Sequence, residues 1–192
     1  LDLVLRQLNK INKINKIDIV VGFQKKKIFY HLKKYKKKEI NYIINDYYFS
    51  KGNYYSALLA EKYINDSFIM LDADIILPRY TIIKLLNNKK QNVILTNQKN
   101  IFDKDDIIFN LNSSNEVKNI QIKPKKIQKR KSNIYSSAGV IKISRSKAKI
   151  FFKVLNNLNI NKKNTKNLYY ENAYNELVTK AKFYAQEIRG KR

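Results

Sequence analysis

The chain has 192 residues, 44% of them hydrophobic, no cysteine, and a formal net charge of +25 from 40 Lys+Arg against 15 Asp+Glu. That length makes one domain with a sizeable core, the apolar fraction excludes a disordered chain, and the lack of cysteine excludes a disulfide framework or a thiolate metal site. No run approaches the roughly 20 apolar residues of a membrane span and no signal-peptide pattern opens the chain, so a cytoplasmic protein is expected.

Leu1, Leu3, Val4, Leu5 and Leu8 recur at helical spacing and predict an opening helix. Residues 17–23 (IDIVVGF) are β-branched and end at Gly22, which predicts a buried strand. Ile28, Phe29, Leu32 and Tyr35 predict a second helix, and residues 39–45 a second strand. After Gly52 and Asn53 the amphipathic YYSALLAEKYI predicts a third helix, FIMLDAD (68–74) a third strand, and the residues after Pro78 a fourth helix. This alternation is the signature of a parallel sheet covered on both faces. The expected fold class is therefore α/β: a Rossmann-like, mixed but mostly parallel sheet with helices on both faces.

The second half is richer in strands, over 92–98, 106–112, 116–123 and 133–144. Helices follow over 145–157 and 168–182, then a last strand over 183–188. Residues 125–133 and 159–167 read as exposed loops, and no repeat or linker divides the chain.

An excess of basic residues draws anionic partners. Here lysine is spread evenly among Asn, Ile and Tyr, as in KINKINKI, with its densest clusters within 25–38 and 123–131. That spread reads as a solvated surface filled with lysine, not a nucleic-acid interface.

Asp72 and Asp74 are the only charges in FIMLDADIIL (68–77). Residues two apart on a strand point the same way, so both carboxylates are expected to project from the strand's carboxyl end, the edge where such sheets bind ligands. Side by side they repel unless a cation lies between them, and Mg²⁺ is typically held by one or two carboxylates plus substrate phosphates. The bland alternative is that acidic residues end strands by hydrogen-bonding local backbone.

IDIVVGFQKKKI, INYIINDYYFSKGNYYSALLA and DSFIMLDADIIL together resemble the core of the sugar-phosphate and phosphocholine nucleotidyltransferases, and within them the phosphocholine cytidylyltransferase-like branch. IQIKP and SSAGV resemble the segments near the acceptor, and YYENAYNEL (169–177) resembles the acidic helix that follows. The resemblance implies transfer of a nucleotidyl group from an NTP, CTP favoured, to a phosphorylated alcohol or sugar, with release of pyrophosphate. Such products are precursors for cell-surface polysaccharide or lipid. It implies Mg²⁺ on Asp74 and Asp72, nucleotide contacts from Asn53, Ser56 and Asp72, a catalytic Lys123 near the acceptor phosphate, and acceptor contacts at Gly139 and Glu171.

The residues also admit plainer roles: Asn53 and Ser56 as helix caps, Lys123 as a solvated lysine, Gly139 as a packing glycine, and Glu171 as a surface helix residue. His31 has no evident role, and the 14 tyrosines read mostly as core or sheet residues. The family's glycine-rich G-x-G-x-R loop is not found; glycines stand only at 22, 52, 139 and 190, and Ile122 occupies the Glu position of E-K-P. A single domain truncated at both ends, or an inactive relative, is the expectation. A GT-A glycosyltransferase, which also uses a D-x-D on a metal, is the rival reading.

Overall fold

The computed structural model describes residues 1–35, 38–124, 128–129, 132–161 and 165–188. Val4, Leu5 and Leu8 wind Asp2–Leu8 into α1 and form its buried stripe. β1 (Lys16–Val21) and β2 (Glu39–Ile44) pair in parallel, from Lys16 opposite Glu39 to Val21 opposite Ile44, across the crossover helix α2 (Lys25–Leu32). α3 (Asn53–Leu59) leads to β3 (Phe68–Leu71), α4 (Arg79–Leu86) and β4 (Val93–Asn97).

β5 (Ile101–Phe102), β6 (Ile107–Leu111), β7 (Val117–Ile122), β8 (Gln128–Lys129) and β9 (Ile134–Ile143) follow. The chain then runs through α5 (Arg145–Asn161), a 3₁₀ turn (Tyr170–Ala173), α6 (Tyr174–Lys180) and β10 (Tyr184–Glu187).

The expected elements are present, with local differences; the third helix, for one, ends at Leu59 and is followed by a 3₁₀ turn over Glu61–Tyr63. The short β5–β8 pair was not foreseen, since two-residue strands leave no periodicity to read. α5 continues to Asn161, four residues past the expected end and into the segment read as a loop. The helix expected over 168–182 is shorter and is preceded by the 3₁₀ turn. Parts of the loops expected over 125–133 and 159–167, and of the basic clusters, lie outside the described residues.

The large sheet runs β10-β4-β9-β6-β7, with β3 also on β9. Helices do cover both of its faces. Ile94, Ile141 and Ile143 point to the side holding Phe151, Leu155, Tyr174 and Leu177 from α5 and α6. Their neighbours Val93, Leu95, Ala138 and Val140 point to Leu85 of α4 on the other side. Burying rings such as Phe109, Phe151 and Phe183 contributes roughly 2 kcal/mol each.

The mixed α/β class stands, but the pairing is less parallel than the alternation of elements implied. Among the described residues only β1–β2 and β4–β10 pair in parallel. β9 runs antiparallel to β3, β4 and β6, because it enters the sheet from a hairpin-type region and not through a helical crossover. Along one edge β9 pairs with β4; along the other it pairs first with β6 and then with β3. The changeover is a β-bulge at Gly139, whose φ of +67° favours glycine. A Cβ there would lie 2.0 Å from Ile75 Cδ1 and 2.8 Å from Asp72 Oδ2.

Gly139→Ala should therefore lower stability by roughly 2–4 kcal/mol, from backbone strain plus the clash. Urea unfolding measures it, and a change within ~0.5 kcal/mol, the range of ordinary surface substitutions, would contradict the bulge geometry.

Candidate active site

β3 stops at Leu71, so Asp72, Ala73 and Asp74 lie in the turn beyond it, closed by Ile75 N–H donating to Asp72 O at 3.2 Å. This corrects the expectation that strand alternation aims the two carboxylates: the turn aims them. They remain at the same edge, within electrostatic reach of each other. Asp74 is exposed, whereas Asp72 is half-buried.

Asp72 is fixed from two sides. Its N–H donates to Gly139 O at 3.2 Å, and its Oδ1 accepts the Tyr170 hydroxyl at 3.0 Å. Burial raises the Asp72 carboxyl pKa, the Tyr170 hydrogen bond opposes that rise, and repulsion from Asp74 adds to it. Tyr170 is itself pushed well above the ordinary phenol range, chiefly by burial, so it stays protonated and keeps donating.

Glu171 is buried, at 4% exposure, which corrects its reading as a surface helix residue. Among the described residues its Oε2 has no hydrogen-bond partner. Burial pushes its carboxyl up to about 7, and the charge on Asp72 adds to the rise. Lys123 lies within electrostatic reach of Glu171.

The backbone of Lys123 is left-handed at φ +51°, a cost on the order of 1 kcal/mol for a residue with a Cβ. Its Nζ donates to Tyr169 Oη at 2.7 Å and stands 4.3 Å from that ring's centroid. The Tyr169 hydrogen bond raises the Lys123 pKa and keeps it an ammonium.

Asn53 and Ser56 make no cap hydrogen bond on α3, whose N-cap is Gly52. Asn53 Oδ1 instead accepts the Tyr170 N–H at 2.9 Å, tying α3 to the segment that holds Asp72. Ser56 Oγ accepts from Asn45 Nδ2 at 3.0 Å, and the Asn45 N–H donates to Val21 O, so this pair closes the carboxyl ends of β1 and β2. The structure thus brings Asp72, Asp74, Gly139, Glu171 and Lys123 into one neighbourhood, with Asn53 behind it and Ser56 beside β2.

Tyr170 and Asn45 were missed by sequence reasoning. A tyrosine in a tyrosine-rich chain carries no local signal, although Asn45 directly after the strand run was a readable stop. Phe23, Tyr47, Tyr48 and Phe49 were also missed: they follow β1 and β2 and remain 48–78% exposed, unlike the core role read for the tyrosines.

Among the described residues no group of three or more His, Cys, Asp or Glu side chains is placed to hold a metal. Two carboxylates with oxygen-only donors suit a hard cation that also takes ligands from a substrate, which is the Mg²⁺ pattern.

No family model matches the chain, and no curated protein matches it. Solved structures do. CTP:phosphocholine cytidylyltransferase from Streptococcus pneumoniae is 18% identical, covers 98% of this chain and 76% of its own, and gives a TM-score of 0.66. A protein from Bacillus anthracis described as a glucose-1-phosphate thymidylyltransferase, in complex with sucrose, is 18% identical over 99% and 73%, at 0.71. The inositol-1-phosphate CTP transferase from T. maritima is 16% identical over 96% and 71%, at 0.65.

The fold is that of the nucleotidyltransferases. At these identities the likeness is one of fold, and in this nucleotidyltransferase fold the acidic turn after β3 lies at the carboxyl edge of the strand. Among the described residues no helix is long and apolar enough to cross a membrane.

The raised Glu171 pKa has a measurable sign. Between about pH 4.5 and pH 7 the folded, metal-free protein holds a proton that the unfolded chain has released, so this group makes stability fall as pH rises through that window. Glu171→Gln should remove a contribution on the order of 3 kcal/mol to that slope. Denaturation midpoints at pH 5 and pH 8 check it: wild-type and variant profiles of equal slope would contradict the raised pKa of the buried carboxyl.

Proposed function

We propose that the protein transfers a nucleotidyl group from an NTP to a small phosphorylated alcohol or sugar. The observation that carries this reading is Asp72 and Asp74 side by side at the strand edge, with Gly139 letting the β9 backbone approach Asp72 closely, in a nucleotidyltransferase fold. CTP is the favoured donor, on the resemblance to the cytidylyltransferase-like branch.

In the reaction an oxygen of the acceptor phosphate attacks the α-phosphorus, a new P–O bond forms, the bond to the β-phosphate oxygen breaks, and pyrophosphate leaves with the electron pair. Asp74 and Asp72 would hold a Mg²⁺ ion, which when bound neutralises charge on the triphosphate and on the departing pyrophosphate. Tyr170 keeps Asp72 oriented by donating to Oδ1, leaving Oδ2 for the cation. Lys123 remains cationic and, being half exposed, has ammonium protons to offer an acceptor phosphate. Glu171, buried and with one free oxygen, suits a hydroxyl or positively charged part of the acceptor.

The test is pyrophosphate release from each of the four NTPs with a panel of phosphorylated alcohols and sugars, using the protein made from its complete coding sequence. Asp74→Ala should cut the rate ~10³-fold or more, the effect of losing several kcal/mol of transition-state charge stabilisation. Undiminished release from that variant would overturn the metal assignment. Consumption of an NDP-sugar without pyrophosphate would favour the glycosyltransferase reading.

A further inference from the structure

Four of the six exposed aromatic side chains among the described residues stand past the carboxyl ends of β1 and β2: Phe23, Tyr47, Tyr48 and Phe49. Exposed apolar residues scattered singly are ordinary, whereas a contiguous group marks a contact surface. Phe23 and Phe49 are 66% and 78% exposed, and neither has a polar tip to offer water. The ring centroids of Phe23 and Tyr48 are 6.1 Å apart, so the two loops form one patch.

Hydrogen bonds and close packing fix this patch. Tyr48 lies against Gly22, where a Cβ would come 2.6 Å from Tyr48 Cβ. Asn45 Oδ1 accepts the Tyr47 N–H at 2.9 Å. The Ser50 and Lys51 N–H groups both donate to Tyr47 O, closing a turn that carries Tyr48 and Phe49. Beyond it the Gly52 N–H donates to Thr165 O at 3.0 Å and ties the turn to the segment before the 3₁₀ turn. Rings held on a fixed turn lose little conformational freedom when a partner covers them.

Lysine surrounds the rings. Lys26 and Lys27 are exposed in the first turn of α2, just past Phe23. Lys51 Nζ lies 5.5 Å from the Tyr47 ring centroid and 4.0 Å from that of Tyr55, and Lys166 Nζ lies 5.0 Å from that of Phe49. Asp46 is the one acid in the two loops, and Lys25 pairs with it at 2.7 Å.

Exposed aromatics ringed by ammonium groups match the headgroup region of an anionic bilayer, where aromatic rings settle and lysines meet lipid phosphates. Single-stranded nucleic acid fits less well, because it tracks a groove and stacks its bases on open ring faces. Here the rings stand on loop tips, and lysines already lie over Tyr47 and Phe49. A second copy would bring the same lysines against each other on a chain of net charge +25. Among the described residues no helix can cross a membrane, so the contact is with one surface only.

We propose that these two loops dock the protein peripherally on an anionic lipid bilayer, Phe23 and Phe49 entering the headgroup region and the neighbouring lysines meeting lipid phosphates.

Co-sedimentation with vesicles tests this, using the protein made from its complete coding sequence. Vesicles of phosphatidylcholine with a quarter phosphatidylglycerol should bind it at least about tenfold more tightly than phosphatidylcholine alone, and added salt should weaken the binding. Phe49→Ser should lower that affinity about tenfold, the effect of withdrawing much of one phenylalanine from an apolar site. Lys51→Gln with Lys166→Gln should do the same or more. Lys147→Gln with Lys182→Gln makes an equal charge change at the amino edge of the large sheet and should cost less than about threefold. The chain has no tryptophan, so Phe49→Trp places a single indole in the patch, and its emission should shift to the blue on the anionic vesicles.

Absence of binding to the anionic vesicles would overturn the proposal. So would equal losses from the two lysine pairs, or full binding by Phe49→Ser, since either would mean general charge attraction without this patch. An indole already blue-shifted without vesicles would mean that the protein itself or a second copy covers the patch. A shift caused by single-stranded RNA and not by vesicles would assign the surface to nucleic acid. Neither an NTP nor an acceptor is present, so the result is independent of whether the proposed reaction is found.

Discussion

Asp72 holds its place because residue 139 has no side chain. The same backbone approach that lets the Asp72 N–H reach Gly139 O also puts Oδ2 within 2.8 Å of where a Cβ would stand. β9 can shift from β6 to β3 only by bulging at that point, and a positive φ makes the bulge possible there. One glycine therefore links the pairing of three strands to the position of the carboxylate.

The electrostatics of the edge run against those of the surface. The chain carries +25 overall, yet Asp72, Asp74 and Glu171 gather together, two of them with raised pKa values set first by burial. Solvated lysines far away are screened within about 10 Å and do little for buried acids. Among the described residues Lys123 is a cation in reach of Glu171, and it is already engaged by Tyr169. A cluster of this kind is costly to ionise without a counter-charge, and perturbed acids grouped at one strand edge mark a functional-site candidate.

The elements were legible because long apolar periodicities report burial directly: α1, β1, β3 and β9 stand within a few residues of where their patterns put them. The site was legible at Asp72 and Asp74, where charge interrupts an apolar run. It was not legible at Tyr170, since a hydroxyl that reaches 98 positions back along the chain leaves no local pattern. The antiparallel course of β9 was hidden for a related reason: alternation of strand and helix fixes direction only where a helix forms the crossover. Glu171 was misread because its burial comes from the 3₁₀ turn packing beneath α3 and α5, not from its own neighbours in sequence.

We propose that Asp72 and Asp74 form a divalent-cation site, with Gly139 and Tyr170 holding Asp72 in place. Paramagnetic broadening by Mn²⁺ in the presence of an NTP, followed in amide NMR spectra, addresses it most directly. The account predicts selective loss of the Asp72–Ile75, Gly139 and Tyr170 signals in the wild-type protein, and their return in Asp74→Asn. Broadening centred elsewhere, or unchanged by that substitution, would contradict it.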